Sequence, residues 1–423
     1  MIIKDKNIFY IPAFSETCDR LAILSGKDYY GSCHQIILPD IHTIAIGSPG
    51  SGKTWQIMNI MSQTISESDN IHIIFDPKAD YVKKFYNPNT DSILSLHDIK
   101  GKNCVKWNIM REIFTDEYPH QAIREISHTL FKPFIDKSSH PVFPTAAMGI
   151  FSSMLELIYR KYPHNPPYTS QAINLIRSIS DDDIRKELSK PEYKDLFATA
   201  NLLNANAKVT AGGVRTELEA ILSAVFDQYG NYCSNGDFSV MNFIQKARNG
   251  SKLFIIYEFG NKESSKDIIR LLLDMMMKEA LSLSGNHRRI YFYLDEFPVL
   301  MNDLSYISDI VQFGRSLNVR VIAGIQNIPQ LYAAYGKDKG NALLSGFVTT
   351  LIMNPNDTET LHILSERSGK ELVHVQSIGL ARNSYYTETM HMNIIPEDEI
   401  SMLDTGEAIV SIKGKRPFWI KLE

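Results

Sequence analysis

Gly47-Ser48-Pro49-Gly50-Ser51-Gly52-Lys53-Thr54 decides the fold of this chain. The octapeptide matches G-x-x-x-x-G-K-[ST]. It follows Thr43-Ile-Ala-Ile46, an apolar run of strand length, and precedes a segment where Ile57, Ile60, Met61 and Ile65 recur at helical spacing. Strand, glycine loop and amphipathic helix in that order make a phosphate cradle. The glycines permit a tight loop whose backbone N–H groups, with the helix N-terminus behind them, surround phosphate oxygens. Lys53 then reaches the β- and γ-phosphates of ATP, and the Thr54 hydroxyl ligates Mg2+. The competing reading is a glycine turn before a helix, and the correct flanks favour the cradle.

Further apolar runs of strand length lie at Ile71 to Phe75, Leu253 to Tyr257, Ile290 to Leu294, Val319 to Ile325 and Val348 to Met353. They read as strands buried on both faces. Helical patterns such as Leu304, Ile307 and Val311 lie between several of them, which predicts a mainly parallel sheet in an α/β fold. Ile290-Tyr-Phe-Tyr-Leu294 ends in Asp295-Glu296, where a central strand would deliver carboxylates to its ligand-binding edge. Asp295 is the candidate Mg2+ ligand and Glu296 the candidate base for the attacking water. An acidic strand-to-turn boundary is the alternative. Gln326 ends the next run and is placed to sense the γ-phosphate, unless it is a plain polar strand end. Arg315 is a candidate finger for a neighbour's nucleotide, with a solvated helix-end arginine as the other reading and Arg320 as a competitor.

From about Asp116 to Tyr229 strand-like runs give way to helical spacing. Ile150, Met154, Leu157 and Ile158 share one face, and Val214, Leu218, Ile221, Leu222 and Val225 another. The expected organisation is a nucleotide-binding domain in two parts, 1–115 and 246–423, around an inserted all-α domain at 116–245. A short hairpin, Ala408 to Lys413 and Phe418 to Lys421, ends the chain.

The 423 residues are 44% hydrophobic and carry a formal net charge of −4, so the surface as a whole is not a basic field for nucleic acid. Any such contact must be local. Cys18, Cys33, Cys104 and Cys233 are scattered, with no CxxC pair, which argues against a disulfide framework or a zinc site. No stretch approaches 18 uninterrupted apolar residues, and the first residues lack the regions of a signal peptide. A cytoplasmic location is expected.

Together the motifs resemble the type IV coupling proteins of bacterial conjugation and type IV secretion, the TraG/TraD-like ATPases. The block Asp295-Glu-Phe-Pro298, Phe313-Gly-Arg-Ser316, Val319 to Gln326, Gln330-Leu-Tyr332 and Tyr335-Gly336 looks like that family's segment from Walker B to its glutamine motif. Phe75-Asp-Pro-Lys78, then Asn354, Asp357 and Thr360, then Gly406-Glu-Ala408 with Arg416-Pro417 follow in the family's order. The resemblance covers most of the α/β part and implies a RecA-like P-loop NTPase with an inserted all-α domain.

It further implies a homo-hexameric ring in which each nucleotide is completed by Arg315 of a neighbour and Gln326 couples hydrolysis to DNA. The implied partners are DNA, as a relaxase-bound single strand, secreted protein substrates, and a type IV secretion channel or a membrane-anchored partner. Family members usually begin with a transmembrane hairpin that is not seen here, so any position at the membrane is expected through partners. Arg215 resembles an arginine of the family's helical domain, with its role open. The residues support DNA contact only through local clusters, chiefly Lys337 with Lys339 and Lys246 with Arg248, each also readable as ordinary solvated surface. A platform for protein recruitment and an FtsK/HerA-like DNA motor are the alternative functions.

Overall fold

The computed structural model describes residues 11–12, 20–67, 69–95, 104–203, 208–227, 236–257, 262–283, 288–297, 304–378 and 385–423. In chain order its strands are β1 (Arg20–Lys27), β2 (Cys33–Pro39), β3 (Thr43–Ile46), β4 (Ile71–Asp76), β5 (Ser92–Ser95), β6 (Cys104–Val105), β7 (Lys252–Ile256), β8 (Ile290–Leu294), β9 (Val319–Ile325), β10 (Thr349–Ile352), β11 (Lys370–Ile378), β12 (Tyr385–Asn393), β13 (Glu407–Ile412) and β14 (Phe418–Leu422). The chain forms two compact units, Met1–Phe75 with Ser284–Glu423, and Asp76–Leu283.

The first unit is built on strands in the order β2-β1-β14-β13-β10-β3-β9-β8-β4. The central pairs, β10 with β3, β3 with β9, β9 with β8 and β8 with β4, are all parallel. Every residue of β3, β4, β8 and β9 is buried, as expected of parallel strands covered on both faces. Beyond β10 the sheet turns antiparallel through β13, β14, β1 and β2. The β13–β14 hairpin is the terminal pair expected from sequence. β1 and β2, which bind this edge, were not anticipated, and neither was the separate hairpin of β11 and β12.

The helix Lys53–Thr64 after the loop buries Ile57, Ile60 and Met61, the stripe that its 3.6-residue spacing predicts. Burying such a side chain fully is worth about 1.5–3 kcal/mol. Gln63 adds register, because its side chain accepts from Ile23 N at 2.8 Å and donates to Ile23 O at 2.9 Å.

The second unit is mostly helical, with a small parallel set in the order β7-β5-β6. β5 (Ser92-Ile-Leu-Ser95) has two apolar residues between serines and β6 is two residues long, so neither makes an apolar run in the sequence. The helices Pro119–Lys137, Val142–Lys161 and Lys208–Phe226 supply the core, where Phe131 and Phe151 meet at 5.3 Å between ring centroids. Val142–Lys161 is long and apolar enough to cross a membrane by length and composition, with mean hydropathy 1.4. Its Ala147, Ile150, Phe151, Met154 and Leu155 are buried within the unit.

Where the chain passes into and out of these helices, Trp107 and Phe238 form a parallel bridge. Beside it lies Glu112, fully buried. Its carboxylate accepts from Trp107 Nε1 (2.7 Å), Ser239 Oγ (2.7 Å), Val240 N (2.6 Å) and Met241 N (3.2 Å). Asn108 caps the helix Ile109–Thr115 and donates to Gly236 O at 3.0 Å. Residues 107–112 and 236–241 are thereby tied together by side-chain hydrogen bonds that pair Trp107 Nε1, Asn108 Nδ2 and Ser239 Oγ.

Candidate nucleotide site

Parallel pairing brings the carboxyl ends of β3, β8, β9 and β10 to one edge of the first unit, the edge where α/β sheets bind ligands. Gly47 leaves β3 pressed against β10: a Cβ there would lie 1.8 Å from Met353 O. The loop is clipped on both sides, Gly47 N donating to Ile325 O (3.1 Å) and Ser48 N to Asn354 O (3.1 Å). Ser48 Oγ donates to the same Asn354 carbonyl at 2.5 Å. Gly50 and Gly52 adopt φ of +81° and +101°, the left-handed region that glycine enters freely. These contacts explain the glycine spacing that the sequence displays.

Lys53 is buried, its ammonium donating to Gly47 O (2.6 Å) and Ser48 O (2.9 Å), so its charge lies over the loop. Ser51 Oγ is buried there without a hydrogen-bond partner. Thr54 Oγ1 donates to Asp295 Oδ2 at 2.7 Å. The sequence candidates for the metal, 241 residues apart, are thus neighbours. A hydroxyl and a carboxylate are hard oxygen donors of the kind Mg2+ prefers. Among the described residues no group of three or more His, Cys, Asp or Glu could hold a metal, so a cation here would draw its other ligands from phosphate and water.

Glu296 follows Asp295 with φ +55°, a strained position for a residue with a Cβ, of the kind that concentrates at functional sites. Its N–H donates to Asp295 Oδ1 at 3.1 Å, and Phe297 behind it is buried and stacks on Tyr335 at 6.5 Å. Pro298 lies outside the described residues. Gln326 follows Ile325, the residue whose carbonyl receives Gly47 N–H, so it stands between the loop and Asp295 in the strand order β3-β9-β8.

A further chain of contacts runs through residues that the sequence singled out only by resemblance. Asn354 holds the loop, Asp357 Oδ1 accepts from Thr360 N at 2.9 Å, and Thr360 Oγ1 accepts from Ile328 N at 2.9 Å. Thr360, fully buried, therefore links the segment after β10 to the helix Ile328–Tyr335 that follows Gln326.

Arg315 and Arg320 are separated by burial. Arg320 is buried, its Nη2 donating to Asp40 Oδ2 at 2.8 Å, with Arg289 Nε 3.0 Å from the same oxygen. Beside them His42 Nδ1 accepts from Val321 N at 3.0 Å; burial, and then the charge of Arg320, lowers its pKa to about 4. Arg320 is a structural cation. Arg315 is exposed in the turn Gly314–Leu317, at the start of β9 and so at the edge opposite the loop. Arg315 is not brought to the nucleotide loop of its own protomer.

Lys337 and Lys339 are exposed in the first turn of the helix Lys337–Gly346, and Lys246 and Arg248 are exposed in the second unit. Arg215 Nη2 donates to the carbonyls of Ile176 (3.1 Å), Arg177 (2.7 Å) and Ile179 (3.3 Å), satisfying the end of the helix Thr169–Ser178. Cys33 and Cys104 are free; Cys18 and Cys233 lie outside the described residues.

The family model for the type IV secretion-system coupling protein DNA-binding domain matches residues 36–418. The chain belongs to the type IV coupling proteins. It is 25% identical over 303 residues to the coupling protein TraD of Escherichia coli (strain K12), covering 70% of this chain and 39% of TraD. The structure of the plasmid coupling protein TrwB with the ATP analogue ADPNP has a TM-score of 0.73 at 19% identity, covering 100% of this chain and 92% of that one. TrwB with ADP and Mg2+ has a TM-score of 0.65 at 21% identity, covering 90% and 84%. At these identities the TrwB structures speak for the fold, and this coupling protein shares it.

Proposed function

We propose that this chain is an ATP-hydrolysing motor that recruits DNA, as a relaxase-bound single strand, or protein substrates and drives them toward a type IV secretion channel. The observation that carries the reading is the 2.7 Å contact of Thr54 with Asp295, which joins the phosphate loop to the acidic strand end beside Gln326. Lys53 neutralises the β- and γ-phosphates by turning from the loop carbonyls to phosphate oxygens. Thr54 and Asp295 would hold Mg2+, which would offset the negative charge of the phosphates. Glu296 accepts a proton from the attacking water, and Gln326 orients that water beside the γ-phosphate. Arg315, exposed at the opposite edge of the sheet, serves a neighbouring protomer of a homo-hexamer. The nucleotide-bound TrwB structures support ATP and Mg2+ as ligands.

Lys337 and Lys339 are the first candidates for DNA phosphate. Cations in a helix's first turn oppose its dipole by about 0.3–1 kcal/mol, so their placement there suits an external anion better than local stability. Lys246 and Arg248 are the second candidates. The motor works at the inner face of the cell membrane, on the cytoplasmic side, through its partners. Displacement of streptavidin from biotinylated single-stranded DNA tests the reading. ATP should speed displacement, and Lys53→Ala should abolish the effect; displacement indifferent to ATP would overturn translocation.

A further inference from the structure

Trp55 follows Thr54 directly and is half exposed, at 50%. Tryptophan is highly buried on average, and its large flat ring with one polar edge suits a binding surface. Among the described residues the other exposed aromatics of the first unit lie elsewhere: Tyr29 and Tyr30 in the turn between β1 and β2, and Phe313 at the sheet edge opposite the loop. Of these described aromatics Trp55 is the one beside the phosphate cradle. Its neighbours Lys53 and Gln56 are buried, so the first turn of the helix Lys53–Thr64 turns the indole away from the sheet. The helix fixes its backbone.

We infer that the indole of Trp55 is the platform on which the base of the bound nucleotide stacks. The inference rests on the proposed nucleotide site and deepens it. With Lys53 at the β- and γ-phosphates and Thr54 at the metal, the α-phosphate lies against the residues that come next, at the start of the helix. The nucleoside leaves the cradle from there, toward solvent, where Trp55 stands. Stacking reads the π-face of a base and not its hydrogen-bonding edge, so adenine and guanine are held alike. Trp55 is a specificity residue for nucleotide over bare polyphosphate, and it takes no part in hydrolysis.

Calorimetric titration of the full chain with ATP, GTP and inorganic tripolyphosphate tests this, comparing wild type with Trp55→Ala and Trp55→Phe. Trp55→Ala should weaken ATP and GTP by roughly 5- to 150-fold, the range of one base–aromatic stack. Tripolyphosphate should bind unchanged, and Trp55→Phe should keep most of the nucleotide affinity. Equal weakening of ATP and tripolyphosphate would mean that Trp55 only supports the loop, and unchanged ATP binding would mean that it faces another protomer; either overturns the inference while leaving the site intact. Failure of wild type to bind ATP or tripolyphosphate would overturn the nucleotide site itself.

Discussion

Gly324 lies against Asp295: a Cβ on residue 324 would stand 2.8 Å from Asp295 Oδ1 and 3.1 Å from Ile57 Cδ1. The register of β8 on β9, with Leu294 opposite Ala323, sets this approach. Both carboxylate oxygens of Asp295 are already engaged, one by Glu296 N and the other by Thr54 Oγ1. Gly324→Ala must therefore displace the acid or the helix behind it. Stability should fall by about 1–3 kcal/mol in urea denaturation. Hydrolysis should fall by roughly 100-fold, the scale of a 1 Å misplacement. Wild-type turnover in Gly324→Ala would contradict the role given to Asp295.

Lys53→Ala and Glu296→Gln should separate binding from chemistry. Lys53 is the cation over the loop, so its loss should weaken ATP binding and remove turnover together. Glu296→Gln should bind ATP as wild type does while turnover drops by roughly 10²- to 10⁴-fold, the range for loss of a general base. Equilibrium binding beside steady-state rates reads both. Equal binding losses in the two variants would sink the assignment of Glu296 as base.

Arg315 and Arg320, five residues apart, should behave differently. Arg315→Ala should leave the melting temperature unchanged, spare nucleotide binding in the protomer, and lower turnover by roughly 10³-fold or more under assembling conditions. Arg320→Ala removes one of two arginines from buried Asp40 and should cost on the order of 3 kcal/mol of stability. Thermal denaturation distinguishes them. A strongly destabilised Arg315→Ala would mean that it serves the fold.

These two arginines mark where the sequence stopped being legible. Nothing local distinguishes them; Asp40, 280 residues before Arg320, does. The phosphate loop was readable because its strand, glycines and helix are contiguous, and β3, β4, β8 and β9 because burial on both faces makes them largely apolar runs. β1 and β2 mix buried with exposed positions and lack that signal. The nearness of Thr54 and Asp295 follows from reading both as Mg2+ ligands, whereas nothing in the sequence marks Gly324 as the residue that approaches Asp295. The clamp around Glu112 joins residues 127–129 positions apart and has no sequence signature.

Glu112 should make stability depend on pH. Burial, opposed by its four hydrogen bonds, raises its pKa from 4.5 to about 7. The folded state then holds this proton more tightly than the unfolded chain does. The stabilisation from that proton is complete below pH 4.5 and is lost as pH rises through about 7. Glu112→Gln removes the titration. Between these limits the wild type should lose on the order of 3 kcal/mol relative to the variant, by urea denaturation at each pH. Parallel stability curves would contradict the shift.

The most direct measurement is steady-state ATP hydrolysis by the full chain and by Lys53→Ala, with and without single-stranded DNA, at low salt because phosphate contacts weaken as salt rises. The account predicts turnover that DNA stimulates severalfold and that Lys53→Ala abolishes under every condition. Turnover that persists in Lys53→Ala, or that DNA leaves unchanged in the wild type, would contradict a DNA-coupled motor built on this site.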